Sequence, residues 1–290
     1  MKVSHEKTRS MVRRAYGAVA VKASSCCSGS SCCGGAAPAG PGAETGLSRE
    51  MRTLKTSLKK TRAVSEGEMG LSCGNPVGFS KIKKGMTVLD LGSGAGKDVF
   101  LAAPLAGAKG KVIGVDMTPG MLKLARANLL KFKKRTGLNN VEFREGLIEK
   151  LPVRDAEADL VISNCVVNLS PDKPAVFREA FRALKPGGCI VVSDIVLNRE
   201  LPPALKRHAG LYAACVAGAL QRRDYLGAIK SAGFGGIKLL TDNTYRSEGG
   251  CSDPITSKAA KALDGAASSI TVLALKLKSG RRQQADGLRR

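Results

Sequence analysis

Tryptophan is absent from this sequence, and aromatic residues make up only 4% of its 290 positions. That scarcity weighs against a nucleic-acid groove built on base stacking, although Lys and Arg number 47 against 24 Asp and Glu, a formal charge of +23. The basic residues gather at 49–62 (REMRTLKTSLKKTR) and in the tail RRQQADGLRR, with no aromatics interleaved. A solvated basic surface is therefore expected, with no nucleic-acid partner, and its field would favour anionic thiol conjugates as substrates. No apolar run reaches the length of a membrane span, so no membrane partner is expected either. Histidine occurs twice, at His5 and His208, and no Cys-x-x-Cys pair occurs, which removes the usual zinc spacings. The basic first 25 residues hold one short apolar stretch, AYGAVAV, cut off by Lys22. That is too little for a secretory leader; a transit peptide is the minor alternative and a cytoplasmic protein the expectation.

What is present is length enough for one large domain or one domain with extensions, and nine cysteines that such a chain does not need as staples. Residues 7–20 can form a short helix, after which ASSCCSGSSCCGGAAPAGPG is low-complexity loop with no apolar face and no means of building a core. From about residue 81 strands alternate with amphipathic helices, the pattern of a mostly parallel sheet covered on both faces. Strands are expected at 87–92, 111–116, 141–146, 159–164 and 189–196. Helices are expected at 96–105, 119–135 and 174–184, the last ended by the Lys185-Pro186-Gly187-Gly188 breaker. Beyond residue 198 the reading is a helix from 202 through 215, a helix at 225–232, strands at 237–240 and 270–277, and loop over most of 241–268. The expected organisation is a Cys-rich arm and lead-in segment (1–80), an α/β core of Rossmann-like type (81–197) and an α+β extension carrying a site helix (198–290).

VLDLGSGAGKD (88–98) sets an apolar strand before a turn in which Gly92, Gly94 and Gly96 let backbone approach a ligand. Any tight strand-to-helix turn welcomes glycine, so this alone is a moderate signal. Asp116 ends the next strand, 24 residues after Gly92, where a carboxylate can take two ribose hydroxyls. Together they predict an adenosine-containing cofactor. VLDLGSGAGKD, VIGVDMT, GLIEKLP and LKPGG, in this order, resemble the class I methyltransferases that bind S-adenosylmethionine. The resemblance implies that Asp90 and the turn of Gly92, Ser93, Gly94 and Gly96 face the methionine end of that cofactor. It places Asp116 and Met117 at the ribose and adenine, Ile148 and Glu149 at the adenine edge, and Asn164 among the cofactor-binding residues. A dehydrogenase fits the glycine turn less well, since no nicotinamide-half signal follows.

The cysteines add a second chemistry. Cys165 directly follows a strand's carboxyl end, where open α/β sheets place their ligand crevice. Cys73 enters through a Gly-Asn-Pro turn, and Cys215 is expected on the helix after the last central strand, so the three can converge over one site. Each could instead be a small buried hydrophobe, the reading adopted for Cys189, while Cys251 is left open. Burial cannot explain Cys26, Cys27, Cys32 and Cys33, because a coreless loop has nowhere to bury them; soft-metal capture or thiol–disulfide exchange fits better.

CGNP, VISNCVVNLSPDK, FREAFRALKPGG and CVAGALQRRDYLGAIKSAGF, with an early AYG followed by SSCC, closely resemble the arsenite methyltransferases. The resemblance covers most of the chain, strongest over 73–236 and weakest over 42–70 and 241–268; Ser72, where a glycine usually precedes the cysteine, is a departure. It implies that Cys73, Cys165 and Cys215 hold trivalent arsenic, as arsenite or its thiol conjugates, with a further redox cysteine among Cys26, Cys27, Cys32 and Cys33. Trivalent arsenic is soft, and three thiolates can hold it as a pyramid whose lone pair projects toward a sulfonium methyl; that leaving group needs no general acid. Methylation raises arsenic to the pentavalent state, so two electrons must return it, which neighbouring thiols can supply by forming a disulfide. Thioredoxin or glutathione would then reset the enzyme. The alternatives are a small-molecule carbon or oxygen methyltransferase of the quinone-biosynthesis kind, and a non-enzymatic thiol-rich protein that sequesters metalloid.

Overall fold

Apolar residues occupy consecutive positions in the central strands, and each strand divides them between two cores. The computed structural model describes residues 4–25, 74–201, 212, 215–245 and 265–278. Within these, β1 (Thr87–Leu91), β2 (Lys111–Asp116), β3 (Val141–Glu145), β4 (Ala158–Asn164), β5 (Leu184–Leu197), β6 (Gly235–Thr244) and β7 (Ala267–Leu275) form one seven-stranded sheet. Its order is β3-β2-β1-β4-β5-β7-β6; the first five strands are parallel, and β7 runs antiparallel to both β5 and β6. The Rossmann-like α/β class expected from the sequence is thus the fold. The four arm cysteines lie outside the described residues.

Side chains alternate across a strand, so Leu160 and Ile162 of β4 point to one face and Val161 to the other. The first face packs on α2 (Pro76–Phe79), α3 (Lys97–Ala106) and α4 (Pro119–Thr136), where Phe100 stacks on Phe132 at 5.0 Å and meets Phe143 edge-on at 5.8 Å. The second packs on α5 (Lys173–Ala183) and α6 (Arg222–Ser231) through Val176, Phe177, Tyr225 and Ile229. Both faces being covered, the strands read as continuous apolar runs.

The ends of the helices follow local chemistry. Pro119 opens α4 and Gly137, at φ 71°, closes it behind three basic residues that suit a helix C-terminus. Asp172 caps α5 by accepting from the Ala175 N–H at 3.0 Å. Here the structure corrects one reading: Lys185-Pro186-Gly187-Gly188 is not a breaker between helix and strand, because β5 begins at Leu184 and runs through it. Lys185 anchors that stretch on the Asp159 carboxylate at 2.8 Å, and Lys276, from beyond β7, caps the open carbonyls of Phe181 and Leu184 at 2.7 Å each. The 241–268 loop is also shorter than expected, since β6 runs to Thr244 and β7 starts at Ala267. Weakly patterned residues become strand there because β7 supplies their hydrogen bonds. Most of the helix expected at 202–215 lies outside the described residues.

The amino-terminal helix α1 (His5–Ser25) is longer than the one expected and packs on the fold, contacting α4 and burying Thr8, Val12 and Ala20. No described helix is long and apolar enough to cross a membrane.

Asn140, buried just before β3, donates to the carbonyls of Ala103 and Gly107 at 2.8 and 2.9 Å and so closes the end of α3. Asn140→Ala removes the second of two donors at each carbonyl, since the Gly107 and Gly110 N–H groups still reach them at 3.0 and 2.9 Å. A loss of about 0.5–1.5 kcal/mol is expected, read as a lower urea midpoint at unchanged slope.

Candidate functional site

Strand order reverses between β1 and β4, so the connections leaving these neighbours diverge and open a crevice at their carboxyl ends. A pocket open to solvent occupies it. Asp90, Gly92, Ser93, Gly94, Asp116, Met117, Ile148, Glu149, Asn164 and Cys165 all line it. Gly96 does not: a Cβ there would strike Phe100 at 2.6 Å and Phe143 at 2.8 Å, so its glycine serves the packing of α3. Gly94 is the opposite case, at φ 51° with nothing within 4 Å of a Cβ, a backbone position facing open pocket.

Three buried carboxylates converge here. Asp116 accepts from the Gly94 N–H at 2.9 Å and the Thr118 N–H at 2.8 Å, tying the turn after β1 to the turn after β2. Burial still raises its pKa above the ordinary value, against the pull of those donors. Asp90 is pushed well up, by burial first and then by the like charges of Asp98 and Asp116. Asp98, in the first turn of α3, accepts from Asn164 Nδ2 at 2.9 Å, and the same amide donates to the Gly74 carbonyl at 3.0 Å. A cation entering the pocket would relieve this crowding. Ser93 Oγ, buried beside the carboxylates, has no hydrogen-bond partner among the described residues.

At the other wall, Glu149 Oε1 accepts from Ser170 Oγ at 2.9 Å and from Arg9 Nη2 at 3.3 Å. Arg9, Val12 and Tyr16 bring α1 into the lining, and Lys97, Met121 and Pro171 join it. Sequence reasoning missed these. For α1 a signal existed, since the early AYG holds Tyr16, but nothing local says that this helix folds back over the crevice.

Cys165 sits where β4 ends, its N–H donating to the Ser193 carbonyl at 2.8 Å. Cys215, also buried, donates from Sγ to the Cys165 carbonyl at 2.7 Å. The expectation that Cys215 lies on a helix is corrected: it occupies a turn at φ 62°, and Cys165 has φ 59°. Left-handed backbone costs a non-glycine residue about 1–2 kcal/mol, so both conformations persist because their surroundings hold them. Cys165 is disulfide-bonded, while Cys189 and Cys215 make no disulfide. Cys26, Cys27, Cys32, Cys33, Cys73 and Cys251 lie outside the described residues. Cys189, half-buried, packs at the margin of the core.

A family model described as a methyltransferase domain matches residues 82–233. Among solved structures, an arsenic(III) S-adenosylmethionine methyltransferase from Chlamydomonas reinhardtii superposes with a TM-score of 0.63 at 34% identity, over 78% of this chain and 73% of that one. The chain belongs to the arsenite methyltransferase family. The arsenite methyltransferase of Halobacterium salinarum is 43% identical over 235 residues, 81% of this chain and 59% of the relative. The human arsenite methyltransferase is 40% identical over 161 residues, 54% of this chain and 43% of the relative. The chain spans about half the length of the curated relatives it matches.

The raised pKa of Asp90 has a stability consequence. Between the ordinary carboxylate pKa and the raised one, the folded chain holds a proton that the unfolded chain releases, so stability falls as pH rises through that window. Asp90→Asn removes this loss. The variant is expected to melt above the parent at pH 7, with the gap shrinking as pH is lowered toward 4, in parallel thermal scans.

Proposed function

We propose that this chain transfers the methyl group of S-adenosylmethionine to trivalent arsenic held on cysteine thiolates, a reaction that detoxifies arsenite. The observation that carries the reading is one cavity lined both by the acidic, glycine-rich crevice and by Cys165, with Cys215 in contact behind it.

The residues present fit the cofactor. Ser93 Oγ is a buried hydroxyl without a partner among the described residues, Gly94 leaves room that any Cβ would fill, and three carboxylates suit a ligand carrying sulfonium and ammonium charges. When bound, S-adenosylmethionine supplies an electrophilic methyl whose departure needs no proton. Asp116 would hold the ribose hydroxyls, Asp90 and the turn from Gly92 to Gly96 the methionine end, and Met117, Ile148 and Glu149 the adenine, with Asn164 fixing the floor through Asp98. Val12, Tyr16 and Met121 give the crevice an apolar wall that excludes water.

Arsenic is the substrate, and Cys73, Cys165 and Cys215 would bind it by exchanging its oxygen or thiol ligands for thiolates. Cys165 must first be released from its disulfide, which requires an external thiol such as thioredoxin or glutathione. Each methylation oxidises arsenic by two electrons. A thiol pair drawn from Cys26, Cys27, Cys32, Cys33 and Cys73 would return them by closing a disulfide, and the same external thiol would reopen it. Among the described residues the lining holds no histidine, and the transfer needs position more than proton movement.

Incubation of the purified chain with arsenite, S-adenosylmethionine and a dithiol should yield methylated arsenicals detectable by mass spectrometry. Cys165→Ser and Cys215→Ser are each expected to lower that yield at least a hundredfold while leaving cofactor affinity within about threefold. Activity surviving in Cys165→Ser would redirect the reading to a carbon or oxygen acceptor. Gly94→Val should do the reverse: the chain folds, at a cost of about 1–2 kcal/mol for a branched residue at that φ, and loses the cofactor in calorimetry. Ordinary affinity in that variant would show that the turn is structural only.

A further inference from the structure

The two positive-φ cysteines need something to hold them, and the structure points below the pocket to a polar cluster that the reaction itself does not use. Asp194 lies on β5 and is buried, outside the pocket lining. Its Oδ1 accepts from Asn168 Nδ2 at 2.9 Å and from the Ile195 N–H at 3.3 Å, and its Oδ2 accepts from the Tyr225 hydroxyl at 3.1 Å. Asn168 Nδ2 also donates to the Ile195 carbonyl at 2.6 Å. Asn168 belongs to the 3-10 turn Val167–Leu169, which begins two residues after Cys165.

We propose that Asp194 is a positioning residue of the thiol site: through Asn168 it bolts the turn after Cys165 to β5, and so sets the contact between Cys165 and Cys215. This rests on the reading that these thiols bind trivalent arsenic. Ser193 takes the N–H of Cys165 and Asp194 takes the amide of Asn168, so adjacent residues of one strand fix both ends of the segment. With its ends pinned to a rigid strand, the segment cannot relax Cys165 out of the left-handed region. The Cys165 carbonyl then stays where Cys215 Sγ reaches it, and Tyr212 secures the same turn from the far side by donating to the Leu169 carbonyl at 3.3 Å.

The carboxylate is costly to the fold. Burial pushes the Asp194 pKa up to about 7, against the opposing pull of the Tyr225 hydroxyl, the Lys173 ammonium and the Ile195 and Asn168 donors. Lys173, itself buried at the start of α5, faces Cys215 and Glu149 as well as Asp194. A residue that spends stability in this way contributes order in the turn.

The test uses the reduced full-length chain and reads each cysteine separately. Arsenite is titrated against alkylation by N-ethylmaleimide, and peptide mass spectrometry gives the concentration that half-protects Cys165 and Cys215; affinity for S-adenosylhomocysteine is measured by calorimetry. Asp194→Ala and Asn168→Ala are expected to raise the half-protecting concentration at least tenfold with cofactor-product affinity within threefold. Asp194→Asn, whose amide oxygen can accept from Asn168 and whose nitrogen can donate to Tyr225, is expected to restore both values to within threefold of the parent. Unchanged protection in Asp194→Ala, parallel loss of both ligands in the two alanine variants, or failure of Asp194→Asn to rescue would each overturn the positioning role while leaving the thiol reading intact. A parent chain in which arsenite protects neither cysteine would overturn both.

Discussion

The reversal of strand order at β1 and β4 is the constraint on which the rest depends. Right-handed crossovers leaving the centre of the sheet in opposite directions send one set of helices to each face, and a gap opens at the carboxyl ends of the two central strands. Asp90 near the end of β1, Asp116 at the end of β2 and Asn164 at the end of β4 are delivered to that gap by register alone, since Asp90 is paired with Gly114 on one side and Ile162 on the other. Carboxylates crowded and dehydrated in this way are a poor design for an empty protein and a good one for a cationic ligand.

The same gap has a second wall, built by different rules. There the chain leaves β4 through a left-handed cysteine, makes one 3-10 turn and enters α5 behind the Asp172 cap. Hydrogen bonds from β5 below and from the segment around Tyr212 and Cys215 beside it over-determine that path. A soft thiophilic substrate needs its sulfurs held at set directions, which short loops anchored to strands supply better than mobile ones. The glycine turn and the cysteine turn line one pocket, and α1 adds Arg9 and Tyr16 to its lining.

Much of this was legible in the residues. Alternation of apolar strands with helices of period 3.6 revealed the fold class, and the glycines followed by Asp116 marked the crevice. Where the reading failed, the missing information lay in another part of the chain. KPGG was read as a breaker because proline and glycine usually are; β4 and β7 pair with the strand around it and make it strand. Cys215 was expected at the end of a helix, yet its carbonyl-bound sulfur and neighbouring Tyr212 hold it in a turn. Why Gly96 must be glycine was not legible locally either: two phenylalanines from α3 and β3 occupy the space a side chain would need.

By itself the sequence determined which chemistry was possible: a glycine-lined acidic crevice, thiols too numerous for packing, and no histidine placed for acid–base or zinc work. These are properties of residue types and short spacings, and they survive whatever the fold does. The tertiary structure alone decided which groups meet. Glu149 faces Arg9 across 140 positions, Cys215 reaches Cys165 across 50, and Asp194 finds Asn168 and Tyr225 from β5. No local pattern encodes such pairs, because each is fixed by the register of a sheet and the packing of helices whose partners lie far along the chain.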